Sequence, residues 1–116
     1  MKLHKSFGTI EVWDDGQNLL VYDVLPVTPE VPVASSVGPK PLIFDNEYLN
    51  FAYIGLCCLE EAPQEILLLG LGAGSFYRAI RTQDMFVDIK AVEVSKTMID
   101  VAKELCKVQD KDIVQA

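Results

Sequence analysis

The apolar run Ile66-Leu67-Leu68-Leu69 carries no polar alternation and is followed at once by Gly70-Leu71-Gly72-Ala73-Gly74. Continuous apolar character predicts a strand buried on both faces of a parallel sheet. Residues 75–81 read as a short helix with Ser75 as its N-cap. Residues 86–94 read as a second strand that ends in a carboxylate, Glu93. Ser95 then caps a helix over residues 96–107, with Met98, Val101, Ala102 and Leu105 on one face. A third strand is expected to begin at Asp112-Ile113-Val114. Strand, glycine turn, helix, strand, acid and helix, in that order, are the opening of a nucleotide-binding βαβ unit.

Upstream the period shortens. Residues 7–12 alternate moderately, Asp14-Asp15-Gly16-Gln17 supply turn residues, and residues 18–25 return as a strand, which predicts a β-hairpin. Residues 26–41 hold all but one of the six prolines and read as a loop or an edge segment, because proline cannot donate to a sheet ladder. Asp45 or Asn46 is expected to cap a helix running to about Leu59, with Tyr48, Ala52, Gly55, Leu56 and Leu59 at helical spacing on a core face. Glu60-Glu61-Ala62-Pro63 ends it. The chain therefore divides into a hairpin region with a proline-rich loop, 1–44, and the opening of an α/β unit, 45–116.

The candidate chemistry sits on the second part. Gly70, Gly72 and Gly74 lack Cβ atoms, so the backbone there can take positive φ and admit a ligand closely. Glu93 follows at about the interval, roughly 20 residues, at which an acid binds ribose hydroxyls. The third small position of the dinucleotide fingerprint is Ser75, and the pattern present is G-x-G-x-G. That spacing resembles the first motif of class I S-adenosylmethionine-dependent methyltransferases. Residues 66–75, with Ala91-Val92-Glu93-Val94, are similar to the spermidine synthase branch of that superfamily, which shares Leu68 two residues before the first glycine. Phe7 to Val12 with Asp15 to Leu20 resembles the N-terminal hairpin of those enzymes, and Asp45 to Ala52 resembles their tyrosine-bearing helix.

The resemblance implies an α/β fold: a Rossmann-like methyltransferase sheet, here its first βαβα portion, preceded by a small β-hairpin region. It implies S-adenosylmethionine as cofactor and attack of a substrate nucleophile on the sulfonium methyl, with the acceptor and any catalytic base unidentified. Gly70, Gly72, Gly74, Glu93, Gln17 and Tyr48 become the candidate cofactor-binding residues. Ala73 stands where aminopropyltransferases carry an Asp in the glycine motif, and Ser95 where they place another after the ribose acid. Both positions favour a methyltransferase over the alternative, an aminopropyltransferase using decarboxylated S-adenosylmethionine. Methyltransferase sheets have seven strands, so the chain is expected to represent the cofactor-binding half. A non-catalytic fragment or pseudoenzyme acting through protein association is a further alternative, and a NAD-binding domain a more distant one.

Composition narrows the partners. The chain has 116 residues, enough for one small core, and 50% are apolar. A net charge of −7 argues against nucleic acid and is compatible with a cationic substrate. Three cysteines, Cys57, Cys58 and Cys106, lack metal-ligand spacing and point to reduced thiols in a cytoplasmic setting, and with the single His4 they make no metal site. No apolar run reaches signal or membrane-spanning length. A truncated sheet predicts uncovered apolar surface and hence a homo-oligomer or a missing C-terminal half as partner. Arg78 and Arg81 are expected to be solvated, and Asp100 and Glu104 to pair with Lys103 and its neighbours on an exposed helix face.

Overall fold

A computed structural model describes residues 1–23, 33–44, 47–84 and 86–116. The continuation of the hairpin to Leu25, the prolines at 26, 29 and 32, and the capping positions Asp45 and Asn46 lie outside them. The chain is mixed α/β, with a four-stranded antiparallel sheet and a three-stranded parallel sheet.

The antiparallel sheet runs in sequence order through β1 (Lys2–Phe7), β2 (Ile10–Asp14), β3 (Leu19–Asp23) and β4 (Val33–Val37). The expected strand over residues 7–12 is instead broken by a turn. Phe7 pairs with Ile10 across the two-residue loop Gly8-Thr9, whose glycine-first order suits a tight hairpin better than continued extension. β2 alternates strictly, with Ile10 and Val12 buried and Glu11 and Trp13 half-buried, so one face of the sheet meets the core. At the β2–β3 turn the Asp15 carboxylate accepts from the backbone N–H groups of Gln17 and Asn18, which fixes the reversal locally. Residues 33–37 of the proline-rich stretch form β4, the outermost strand next to β3. That is the edge position proline-flanked sequence favours.

The parallel sheet follows α1 (Glu47–Cys57) and consists of β5 (Glu65–Leu69), β6 (Asp88–Glu93) and β7 (Ile113–Gln115). The crossovers are α2 (Ser75–Gln83) and α3 (Lys96–Cys106). Ile66 and Leu68 pair with Ile89 and Ala91, so all four share the face that joins the core. Leu67 and Leu69 point the other way and are 64% and 80% exposed. The expectation of a strand buried on both faces is therefore corrected. Among the described residues β5 is an edge strand, and only one face of it reaches the core.

α1 also departs from expectation. None of its residues is fully buried, and Tyr48, Gly55 and Leu59 of the predicted core face are exposed. Leu56 of that face does pack against the core, and an aromatic cluster in which Phe44, Tyr53 and Phe76 rings stand 5.9 to 6.4 Å apart adds to the attachment. α3 behaves as its sequence suggests: the Ser95 hydroxyl accepts from Met98 N–H, and Val101 and Ala102 are buried. Lys96 pairs with Asp100 on its surface, whereas Glu104 reaches across to Lys5 of β1.

One core joins the two sheets. Ile10, Val12 and Val21 of the antiparallel sheet belong to the same cluster as Tyr77, Ile89 and Val101. A polar lock closes its far end. Asp112, in the 3-10 turn before β7, is buried and accepts from Tyr77 Oη at 2.6 Å and from Arg81 Nη2 at 2.9 Å. Arg81 is thus a structural ion-pair partner rather than a solvated charge. Burial raises the Asp112 pKa, but the Tyr77 and Arg81 hydrogen bonds outweigh it and hold the carboxyl below 3.8. A depressed folded-state pKa contributes stability that is present above the unfolded value and lost as pH falls through the folded one. Asp112→Asn should accordingly cost about 2 kcal/mol at neutral pH. Thermal unfolding from pH 7 to pH 3 should show wild type and variant converging below about pH 4. Parallel curves would remove the ion pair from the account.

Candidate functional site

The three parallel strands end on one side of the sheet, and the turn from Gly70 to Gly74 crosses that side between β5 and α2. Crevices outside the carboxyl ends of parallel strands are where such folds bind ligands. The turn is held from two directions. Glu93, the last residue of β6, is buried; its Oε1 accepts from Leu71 N–H at 3.1 Å and Gly72 N–H at 3.4 Å, and its Oε2 from Ser95 N–H at 3.0 Å. From the opposite side β4 leans on the turn. Ser35 Oγ accepts from Ala73 N–H at 3.1 Å, and the Ser75 hydroxyl donates to the Ser36 carbonyl. Gly70 N–H reaches the Val92 carbonyl at 2.8 Å and Gly74 N–H the Leu71 carbonyl at 3.1 Å. Every backbone N–H from Gly70 to Gly74 therefore has a partner within the chain.

The glycines serve different ends. Gly70 has φ +91°, and a Cβ there would meet open space. Gly74 has the same φ, but its Cβ would stand 3.0 Å from Cys106 Cβ and from Val108 Cγ2. Gly74, not Ser75, is the N-cap of α2, and Ser75 is its first residue, with its hydroxyl directed to β4. At Gly72, φ is +56° and the space a Cβ would take is bounded by Ser35 Oγ at 3.2 Å. The turn thus has one open glycine, one facing a serine and one packed under α3.

A cavity of about 510 Å³ opens beside the turn. Ser35 and Ser36 of β4, Tyr48 of α1, Leu67 and Leu69 of β5, and Gly70 of the turn contribute to its walls, as does Gly72. Gly70, Gly72 and Tyr48 are therefore brought together. Gly74 and Glu93 lie behind the turn and do not line the cavity. Gln17 is exposed in the β2–β3 turn, where its N–H bonds Asp15, and it is not among the lining residues.

Ser35 and Ser36 are the site residues that sequence reasoning missed. They sit in the proline-rich stretch read as loop or edge, and only their contact with the glycine turn marks them. Arg78, expected in solvent, is half-buried and donates from Nη2 to the Gly38 carbonyl at 2.8 Å, adding a second tie between α2 and the chain after β4. Among the described residues no cluster of His, Cys, Asp and Glu could hold a metal ion, and no helix is long and apolar enough to cross a membrane. No family model, curated protein or solved structure matches the chain.

Gly70 and Gly74 share a φ but not an environment, so a paired substitution separates backbone strain from crowding. Gly70→Ala should cost about 1–2 kcal/mol, the positive-φ penalty alone. Gly74→Ala should cost about 2 kcal/mol more through overpacking against α3. Urea unfolding of both variants measures the difference, and equal losses would refute the packing role of Gly74.

Proposed function

We propose that this chain is the nucleoside-binding part of a Rossmann-like, S-adenosylmethionine-dependent methyltransferase similar to the spermidine synthase branch. The observation that carries the reading is the state of the glycine turn: its five N–H groups are all partnered, and a buried carboxylate stands directly behind it. A dinucleotide needs free N–H donors for its pyrophosphate, and a nearby carboxylate repels that group. A sulfonium nucleoside carries no phosphate and is cationic, so neither feature opposes it. Glu93 uses three of about four acceptor positions within the chain. Because Glu93 stands behind the turn, a ribose hydroxyl reaches it by exchanging with its longest bond, that to Gly72 N–H at 3.4 Å. The cavity beside Gly70 falls within the usual size for a small-molecule site.

On this reading Tyr48 and the exposed leucines of β5 supply apolar surface near the ligand, and Gly70 supplies close backbone approach. The chain's contribution to methyl transfer is alignment and exclusion of water, and the acceptor is a small molecule or protein yet to be identified. A second reading, association with another protein, is favoured by Leu67, Leu69 and Val114, exposed on sheet strands whose parallel pairing ordinarily has both faces covered.

Calorimetric titration with S-adenosylmethionine, its decarboxylated form and NAD tests the proposal. Saturable binding of the first, with NAD not bound, is expected. Leu69→Lys places a cation on the cavity wall at an exposed position and should weaken that binding at least tenfold without lowering Tm. Preference for the decarboxylated form would reassign the reaction to aminopropyl transfer. Absence of saturable binding by any of the three in the folded chain would overturn the cofactor reading.

A further inference from the structure

A second cavity, of about 480 Å³, lies between α2 and the C-terminal end of α3, away from the glycine-turn cavity, with which it shares no lining residue. Its walls hold four cationic groups, Arg78, Arg81, Lys107 and Lys111, and no carboxylate. That concentration is unexpected in a chain with 17 acidic and 10 basic residues. The acids nearest along the chain are engaged: Asp112 with Arg81, Asp110 with Lys103, and Glu104 with Lys5. Among the described residues Arg78, Lys107 and Lys111 form no ion pair with a carboxylate.

Two of these side chains reach carbonyl oxygens in place of a carboxylate. Arg78 donates from Nη2 to the carbonyls of Gly38 and Lys40, and its buried Nε has no hydrogen-bond partner. Lys107 Nζ donates to the Glu104 carbonyl. The remaining ionisable wall groups are Tyr77 and Cys106; burial raises both, the Cys106 thiol to about 11, so neither adds negative charge at neutral pH. Like charges held around one concavity repel one another and focus a positive potential into it.

We propose that this cavity binds a small molecule through a phosphate or diphosphate group. Arg78, Lys107 and Lys111, which form no ion pair among the described residues, match a ligand of two or three negative charges. A guanidinium flanked by ammonium groups is a donor set suited to phosphoryl oxygens, with Arg78 for direction and the two lysines as mobile charges. The volume admits a phosphorylated metabolite rather than a bare ion alone. The inference is independent of the proposed methyltransferase reading, since the two cavities share no lining residue.

The test is titration of the whole chain with pyrophosphate and with inorganic phosphate at low and at physiological salt, followed by calorimetry and by amide shifts. Pyrophosphate should bind at one saturable site, more tightly than phosphate, with the largest shifts at Arg78, Lys107 and Lys111. Lys107 has φ +57°, a conformation asparagine tolerates, and Lys111 is exposed, so Lys107→Asn with Lys111→Gln should fold normally. The double variant should bind pyrophosphate at least tenfold more weakly, while Lys2→Gln, which removes a cation that does not line the cavity, leaves affinity unchanged. Non-saturable binding, an affinity unaltered by the double substitution, or shifts centred elsewhere would overturn the proposal. So would tighter binding of a short single-stranded oligonucleotide than of pyrophosphate.

Discussion

The Glu93 carboxylate ties the end of β6 to the turns on either side of it. Through Leu71, Gly72 and Ser95 it fixes both the glycine turn and the entry into α3. A buried carboxylate is costly unless its oxygens are satisfied, and hydrogen bonds to a charged group contribute more than neutral ones. The remaining features of this side of the sheet follow from that anchoring. With the turn held against β6, Gly74 sits under α3, where a Cβ would crowd Cys106 and Val108, and α2 starts at Ser75.

The antiparallel sheet completes what Glu93 begins. β4 meets the turn with two serines, and Arg78 returns from α2 to the chain just beyond β4. The hairpin region is thereby a wall of the cavity as well as a packing partner for the core. Ser35 and Val37, two residues apart, share one face of β4, so that face gives the turn a hydroxyl and the core an apolar side chain, while Ser36 contributes its backbone carbonyl.

The charged groups near the two cavities differ. The carboxylate behind the glycine turn sits on the strand-end side, and four cations gather between α2 and α3. The glycine-turn cavity is lined by no charged side chain, whereas the second cavity is lined by four cationic ones. A net charge of −7 describes neither, because local fields depend on which charges are already paired.

Much of the local structure was legible along the chain. The Ile66 to Leu69 run, the Ser95 cap and the periodicity of α3 placed β5 and α3, and Asp112-Ile113-Val114 marked β7 within a residue. Such signals are encoded between neighbours, in capping hydrogen bonds and in side-chain period. The early turn at Gly8-Thr9 was hidden because moderate alternation continued through it. Burial was less legible than element type. An apolar strand reads alike whether one face or two is covered, and the exposure of Leu67 and Leu69 depends on what packs beside β5. The roles of Ser35, Arg81 and the cations around Cys106 were likewise decided by tertiary structure alone. Their partners lie about 30 to 40 residues away or on another helix, and a hydrogen bond or a field between distant positions leaves no mark on local sequence pattern.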